Sequence, residues 1–133
     1  MKQSFQFRSA KREDVPLILQ FIKELADYEK MLDEVVADEA TLETWIFDKQ
    51  NAEVLFVLDD GKEAGFALFF HNFSTFLGRS GIYLEDLYVK PEYRGKGYGK
   101  AILKKLADEI ANREVFVSMD DDVLKGFVIF SRT

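Results

Sequence analysis

The stretch from Tyr83 to Leu106 constrains this chain more than any other part of its sequence. β-Branched and aromatic residues up to Val89 are typical of a mostly buried strand, and Pro91 ends that strand. After a glycine-rich turn, apolar residues recur at three- and four-residue spacing, which predicts an amphipathic helix from about Tyr98. The apolar residues of that helix are Ile102, Leu103, Leu106 and Ile110.

Three alternating glycines, Gly95, Gly97 and Gly99, lie at the predicted start of this helix. The first N–H groups of a helix have no partner within the helix, and the positive end of the helix dipole lies beside them. Glycine also lets a ligand approach the backbone closely. The turn therefore predicts a phosphate-bearing ligand. The alternative, a merely flexible turn, leaves unexplained why the chain accepts glycines that weaken a helix.

The spacing of glycine and lysine excludes two common phosphate loops. A dinucleotide fingerprint counted from Gly95 would need glycine where Lys100 stands. A nucleoside-triphosphate loop needs a hydroxyl residue after Gly-Lys, but Gly97 follows Lys96 and Ala101 follows Lys100.

The pattern Arg94-x-x-Gly97-x-Gly99 resembles the pyrophosphate-binding motif of the GNAT acetyltransferase superfamily, as does the Val-x-Pro-x-Tyr-Arg run before it. Ile22–Met31 and Tyr83–Asp86 resemble the spermidine/spermine (diamine) branch, which has thialysine-type relatives. The likeness covers about 5–111. It implies an N-acetyltransferase that uses acetyl-CoA as cosubstrate and a primary amine of a small cationic substrate (polyamine, diamine or lysine-like).

Length and composition predict one domain over residues 1–133. With 47% hydrophobic residues and 13 phenylalanines, the chain has enough apolar material for a core. The resemblance implies an α+β fold with a mixed, mostly antiparallel sheet flanked by helices. The C-terminal part is expected to be truncated or altered.

The pattern of apolar residues places the other elements. In chain order they are a strand at Phe5 and Phe7, a helix with the stripe Val15, Leu19, Ile22 and Ala26, a helix capped by Asp38, and strands Glu53–Leu58 and Ala64–Phe70. The Asp60-Gly61 pair predicts a hairpin between the last two. A strand Gly81–Lys90 leads into the glycine turn, and the final helix runs to about Asn112.

The resemblance also implies which residues bind acetyl-CoA. Main-chain groups of Leu87, Tyr88 and Val89 are expected to face the pantetheine arm. The residues expected to wrap the diphosphate are Arg94, Gly95, Lys96, Gly97, Tyr98, Gly99 and Lys100. Lys96 and Lys100 add positive charge.

Direct attack of a neutral amine on the thioester is the implied reaction. The N–H of Leu87 is the expected donor to the oxyanion, and Glu85 the expected carboxylate that helps to remove the proton of the ammonium. Tyr28, Glu29, Glu85 and Asp86 match positions near the amine in the branch. The alternatives are solvated strand carboxylates at Glu85 and Asp86 and ordinary helix-end residues at Tyr28 and Glu29.

The composition also predicts the compartment of the protein and the kinds of partner that it binds. The chain has no cysteine and one histidine, which leaves little for a metal cluster or a Ser-His-Asp triad, and no metal is expected. A net charge of −6 argues against nucleic acid and favours cationic substrates. No apolar run reaches the ~18 residues of a membrane span and no signal peptide is visible, so we expect a cytoplasmic protein. The resemblance implies a homodimer.

The likeness ends after Asn112, and residues 113–133 stay unassigned. Val115–Met119 and Phe127–Phe130 are candidate strands, and Asp120–Asp122 is a candidate turn. The tyrosine that serves relatives as general acid has no counterpart, because Tyr98 is the last tyrosine. This loss suggests that either the reading frame or the expressed chain is altered near residue 112. It leaves two further possibilities open, a catalytically weak or inactive acyl-CoA-binding module and a scaffold without a ligand.

Overall fold

The structure is a computed structural model that describes residues 5–76, 78–110 and 123–130. Its strands are β1 Phe5–Ser9, β2 Glu53–Asp59, β3 Lys62–Ser74, β4 Arg79–Val89 and β5 Val123–Phe130. Its helices are α1 Val15–Tyr28, the short α2 Glu39–Leu42, which continues as a π-helical segment Glu43–Asp48, and α3 Tyr98–Ile110. None of these described helices has the length and apolar character needed to cross a bilayer.

The five strands form one sheet in chain order, and each is antiparallel to its neighbours. This arrangement confirms the predicted α+β class. The hairpin between β2 and β3 turns at Asp60 and Gly61, whose φ angles of 51° and 83° are those of a primed turn. Asp38 caps α2 as predicted, because its carboxylate accepts a hydrogen bond from the Thr41 N–H at 2.8 Å.

Strand β5 comes from the tail that the sequence left unassigned. It pairs with β4 from Gly81, opposite Phe130, to Tyr88, opposite Val123. The candidate strand Phe127–Phe130 therefore belongs to a longer one. The candidates Val115–Met119 and Asp120–Asp122 lie outside the described residues.

The buried face of α1 differs from the predicted stripe. The fully buried positions are Val15, Ile18, Phe21 and Leu25, whereas Leu19, Ile22 and Ala26 are half-buried. Nearly every residue from Val15 to Ile22 is apolar, so periodicity alone permits two stripes. The ring of Phe21 selects one of them, because it stacks on Phe66 at 5.1 Å between centroids.

Two apolar clusters sandwich the sheet. On one face, Ile102, Leu103 and Leu106 of α3 pack against the sheet. On the other face, Ile18, Phe21 and Leu25 of α1 do the same. This burial fixes β4, which belongs to both clusters, between α1 and α3.

A β-bulge interrupts β4 in its middle. Leu68 of β3 pairs with Asp86, but its neighbour Phe69 pairs with Leu84, so Glu85 is an extra residue in the strand. Because of this residue, Leu84 and Leu87 pack on the same face of the sheet although three positions separate them. The bulge therefore changes the direction of the side chains around Glu85.

The contact between β3 and β4 leaves no room for a side chain at Gly65. A Cβ there would lie 2.7 Å from the carbonyl oxygen of Tyr88 and 3.1 Å from Cα of Val89. Because the backbone of β4 must then shift, we expect Gly65→Ala to lower the free energy of unfolding by about 1–3 kcal/mol. Urea unfolding measures this loss. The exposed Lys62→Ala in the same strand should stay within about 0.5 kcal/mol of the natural protein, and an equal loss in both variants would contradict the prediction.

Candidate active site

The glycine turn after β4 has the geometry of an anion site. A short turn, Pro91–Tyr93, follows β4, and α3 begins at Tyr98. Gly95 and Gly97 have φ angles of 81° and 85°, in the left-handed region that favours glycine. Apart from the glycine itself and its two chain neighbours, no heavy atom of the described residues lies within 4 Å of the position that a Cβ would take at either residue. Conformation, not crowding, thus requires glycine here, and this side of the turn is open.

Main-chain donors gather at the start of α3. The first helical hydrogen bond runs from the Ala101 N–H to the Gly97 carbonyl at 3.0 Å. The N–H groups of Tyr98, Gly99 and Lys100 therefore precede the ladder of α3, and the helix dipole adds positive potential there. An open glycine turn with these donors fits the diphosphate of a coenzyme such as CoA.

Asp59, which was not predicted from sequence, braces this turn from the end of β2. Its carboxylate accepts a hydrogen bond from the Tyr98 hydroxyl at 2.7 Å and lies 3.2 Å from Nζ of Lys96. These bonds, that of Tyr98 first, hold the pKa of Asp59 below its usual value. Burial, and then the bond to Asp59, raises the pKa of Tyr98 to about 12. Tyr98 therefore stays a hydrogen-bond donor at neutral pH.

Arg94 points its side chain toward the protein interior. Its Nε donates to the carbonyl of Val89 at 2.8 Å. The guanidinium carbon lies 4.9 Å from the ring centre of Tyr28 and 5.3 Å from that of Tyr88. Arg94 was predicted to wrap the phosphates, and the structure places its guanidinium against aromatic rings beside the turn.

Three carboxylates line a cavity of about 250 Å³ between α1, the segment after it and β4. They belong to Glu29, Glu34 and Asp86. The other lining residues are Ile22, Leu25, Ala26, Met31 and Val35. Acidic groups above an apolar wall suit an alkyl ammonium ion.

Two of the residues that the sequence predicts to bind the amine line this cavity, together with one residue that was not predicted. Glu29 and Asp86 both line it. Tyr28 lies against Arg94, and Glu85 is the half-buried bulge residue next to Asp86; neither belongs to the lining. Glu34 was not predicted, and its only sequence signal is the acidic pair Asp33-Glu34 shortly after Glu29.

Strand β5 affects how a pantetheine arm can meet β4. The side chains of Leu87, Tyr88 and Val89 are buried, so only their main chain could serve a ligand. Leu87 pairs with Ala67 of β3 and with Leu124 of β5, and Tyr88 likewise has a partner in each of these strands. Both edges of β4 are therefore occupied at these residues. The predicted contacts of Leu87 and Tyr88 with pantetheine require β5 to move away from β4.

Known proteins share both sequence and fold with this chain. A sequence model of the acetyltransferase (GNAT) family matches residues 18–128. The thialysine N-epsilon-acetyltransferase of Bos taurus is 43% identical over 110 residues, which are 76% of this chain and 64% of that protein. The spermidine/spermine N(1)-acetyltransferase-like protein 1 of Homo sapiens is 38% identical over 114 residues, which are 77% of this chain and 16% of that protein.

A solved structure of an acetyltransferase has a similar fold. The ribosomal-protein-alanine N-acetyltransferase from Brucella melitensis biovar Abortus 2308 superposes with a TM-score of 0.64 at 25% identity, over 79% of this chain and 70% of that one. The chain spans slightly less than two thirds of the length of the bovine relative, 64%. Together the matches confirm the resemblance predicted from the glycine motif and the fold predicted with it.

Proposed function

The chain belongs to the GNAT acetyltransferase family, and on that premise we propose that it moves the acetyl group of acetyl-CoA to a primary amine of a small cationic substrate. The observation that carries this proposal is the position of β4. Its bulge at Glu85 and Asp86 adjoins the acidic cavity, and its end at Val89 leads into the glycine turn. The names of the relatives, which act on thialysine or are like spermidine/spermine acetyltransferases, support an amine as acceptor.

Acetyl-CoA is the cosubstrate in this proposal. The N–H groups at the start of α3, together with the open turn from Gly95 to Gly97, hold the diphosphate. The exposed side chain of Lys100 adds charge near it. The contact set proposed from the sequence is Leu87, Tyr88, Val89, Arg94, Gly95, Lys96, Gly97, Tyr98, Gly99 and Lys100.

The chemistry needs a neutral amine. A primary ammonium has a pKa near ~10.4, so it must lose a proton before its nitrogen attacks the thioester carbon. Glu85 takes this proton, directly or through water, and the N–H of Leu87 stabilises the oxyanion once β5 has moved away from β4. The C–N bond forms and the C–S bond breaks, and the attacking nitrogen loses a second proton, which balances the proton that the leaving CoA thiolate takes up.

The acidic cavity makes a separate prediction about affinity for the amine. Glu29 and Glu34 are exposed, so water and salt screen their charges, and each pair with an ammonium is worth only about 0.2–1 kcal/mol. We expect Glu34→Gln to raise KM for a diamine about two- to fivefold while KM for acetyl-CoA stays unchanged. Glu39→Gln, an exposed glutamate outside this cavity, is the control. Equal KM values for the diamine in both variants would contradict the assignment of Glu34.

A second candidate function is an acyl-CoA-binding module with weak or no transfer. The pairing of β5 with β4 at Leu87 and Tyr88 favours this candidate, since it occupies the edge that the reacting thioester would need. In this candidate the diphosphate still binds at the glycine turn. Calorimetry would then show CoA binding without turnover.

Thiol release from acetyl-CoA tests the proposal. The assay is run with spermidine, putrescine, lysine analogues and N-terminal peptides as acceptors. Release that depends on a small cationic amine supports an N-acetyltransferase. CoA binding without release from any acceptor supports the second candidate, and failure to bind CoA contradicts both.

We also propose a homodimer, as the sequence resemblance implies, and the cytoplasm remains the location that the sequence predicts. Phe76 is fully exposed and Phe73 is 63% exposed near the turn between β3 and β4, which supports self-association. Sedimentation equilibrium measures the oligomeric state. A monomer at all concentrations would contradict the dimer.

A further inference from the structure

The end of α1 contacts the strand–turn junction through an arginine that lies against two aromatic rings. The guanidinium carbon of Arg94 lies 4.9 Å from the ring centre of Tyr28, the last residue of α1, and 5.3 Å from that of Tyr88 in β4. Nε of Arg94 donates to the carbonyl of Val89, the last residue of β4. The residue immediately before the glycine turn is thus fixed to two elements.

Ring contacts matter here because hydrogen bonds do not satisfy the whole guanidinium. One terminal nitrogen of Arg94 is buried and has no hydrogen-bond partner among the described residues. A buried donor without an acceptor costs free energy, so the rings and the single bond to Val89 must hold the side chain in place.

The two tyrosines differ in how firmly they are held. Tyr88 is 4% exposed and packs against Phe21, with 6.3 Å between ring centres. Tyr28 is 42% exposed at a helix end. Tyr28 can therefore be changed without opening the core, and its ring contributes separately to the position of Arg94.

Tyr28 also stands next to the amine cavity without lining it. Its neighbour Glu29 lines the cavity together with Asp86. We infer that Tyr28 is a positioning residue for acetyl-CoA rather than a contact of the amine, because its ring holds Arg94 and thereby the turn whose N–H groups bind the diphosphate. This inference rests on the proposed CoA site and revises the role that the sequence predicts for Tyr28.

Calorimetry with CoA, together with steady-state kinetics, tests the inference. Tyr28→Ala should weaken CoA binding about tenfold, the loss expected for one cation–π contact, and should leave KM for the amine within about twofold. Tyr28→Phe keeps the ring and should bind CoA like the natural protein. Glu29→Gln is the matched control, because it should raise KM for the amine and leave CoA affinity unchanged.

Two further variants separate positioning from general destabilisation. Arg94→Lys keeps the charge but loses the planar group, so it should weaken CoA binding by a similar factor. The double variant Tyr28→Ala/Arg94→Lys should be scarcely weaker than either single variant, since both remove the same contact. Thermal unfolding of each variant shows whether it is folded. If Tyr28→Ala is not folded, the comparison of CoA binding by Arg94→Lys and Tyr28→Phe takes its place.

The inference is overturned if Tyr28→Ala binds CoA normally, if it raises KM for the amine instead, or if Tyr28→Phe loses CoA binding equally. Failure of the natural protein to bind CoA is a different result. It would overturn the proposed function, and this inference would fall with it.

Discussion

Gly97→Val is expected to lower kcat/KM for acetyl-CoA by about 100-fold or more, because the loss of two charge-assisted hydrogen bonds already costs that much. Gly97 has a φ of 85°, a conformation that a β-branched residue adopts only under strain of about 1–3 kcal/mol. The open space around its Cβ position is the side from which a diphosphate can approach. Valine would therefore both distort the turn and block the ligand. Calorimetry with CoA and thiol-release kinetics measure the two consequences.

Gly78→Val is the matched control for this variant. Gly78 lies in the turn between β3 and β4, has a φ of 63° and also has open space where a Cβ would be. Valine should cause similar backbone strain there without touching the glycine turn after β4. If both variants bind CoA as the natural protein does, or both lose it equally, the special role of Gly97 is wrong.

Glu85→Gln is expected to lower kcat about 100-fold at neutral pH, the usual contribution of a positioned general base. Glutamine has nearly the same shape but cannot accept the proton of the ammonium. KM for acetyl-CoA should change little, because Glu85 lies in the bulge of β4 and not in the glycine turn. Thiol release with saturating spermidine measures the effect.

The role of Glu85 also predicts the direction in which the rate of the Glu85→Gln variant changes with pH. Below the amine pKa of ~10.4, the fraction of neutral amine rises about tenfold for each pH unit. A variant that cannot remove the proton depends on this fraction, so its rate should rise steeply with pH and approach that of the natural enzyme. Asp86→Asn, which changes a cavity carboxylate, should mainly raise KM for the amine. A Glu85→Gln defect that stays constant with pH would contradict the role of Glu85.

Local periodicity explains why the centre of this site could be predicted. The spacing of Ile102, Leu103 and Leu106 placed the start of α3 near Tyr98, where the structure has it. The Asp60-Gly61 pair likewise fixed the hairpin, since a two-residue turn depends on its own backbone. Features that depend on neighbours in sequence can thus be predicted without a structure.

Contacts between segments that are far apart in sequence could not be predicted in the same way. The ring contact of Arg94 with Tyr28 and the bond of Tyr98 to Asp59 join elements that are far apart in sequence. Glu34 could not be told from other exposed acids, because only the path of the chain after α1 brings it to Asp86.

The bulge at Glu85 also has a signal in the sequence. Ile82 and Leu84 alternate in one phase, and Leu87 and Val89 alternate in the other. A change of phase inside an apolar strand predicts an inserted residue, and the structure has it at Glu85. The carboxylate proposed as base is therefore the residue that breaks the regular pattern of β4.

Titration of ¹⁵N-labelled protein with CoA tests the central claim most directly, that main-chain amides between Arg94 and Lys100 hold the diphosphate. The amide resonances of Gly95, Gly97 and Gly99 should shift in a saturable way, while that of Gly78, in the turn between β3 and β4, should stay in place. Unchanged resonances of the three glycines with CoA in millimolar excess, or shifts confined to other regions, would contradict the account.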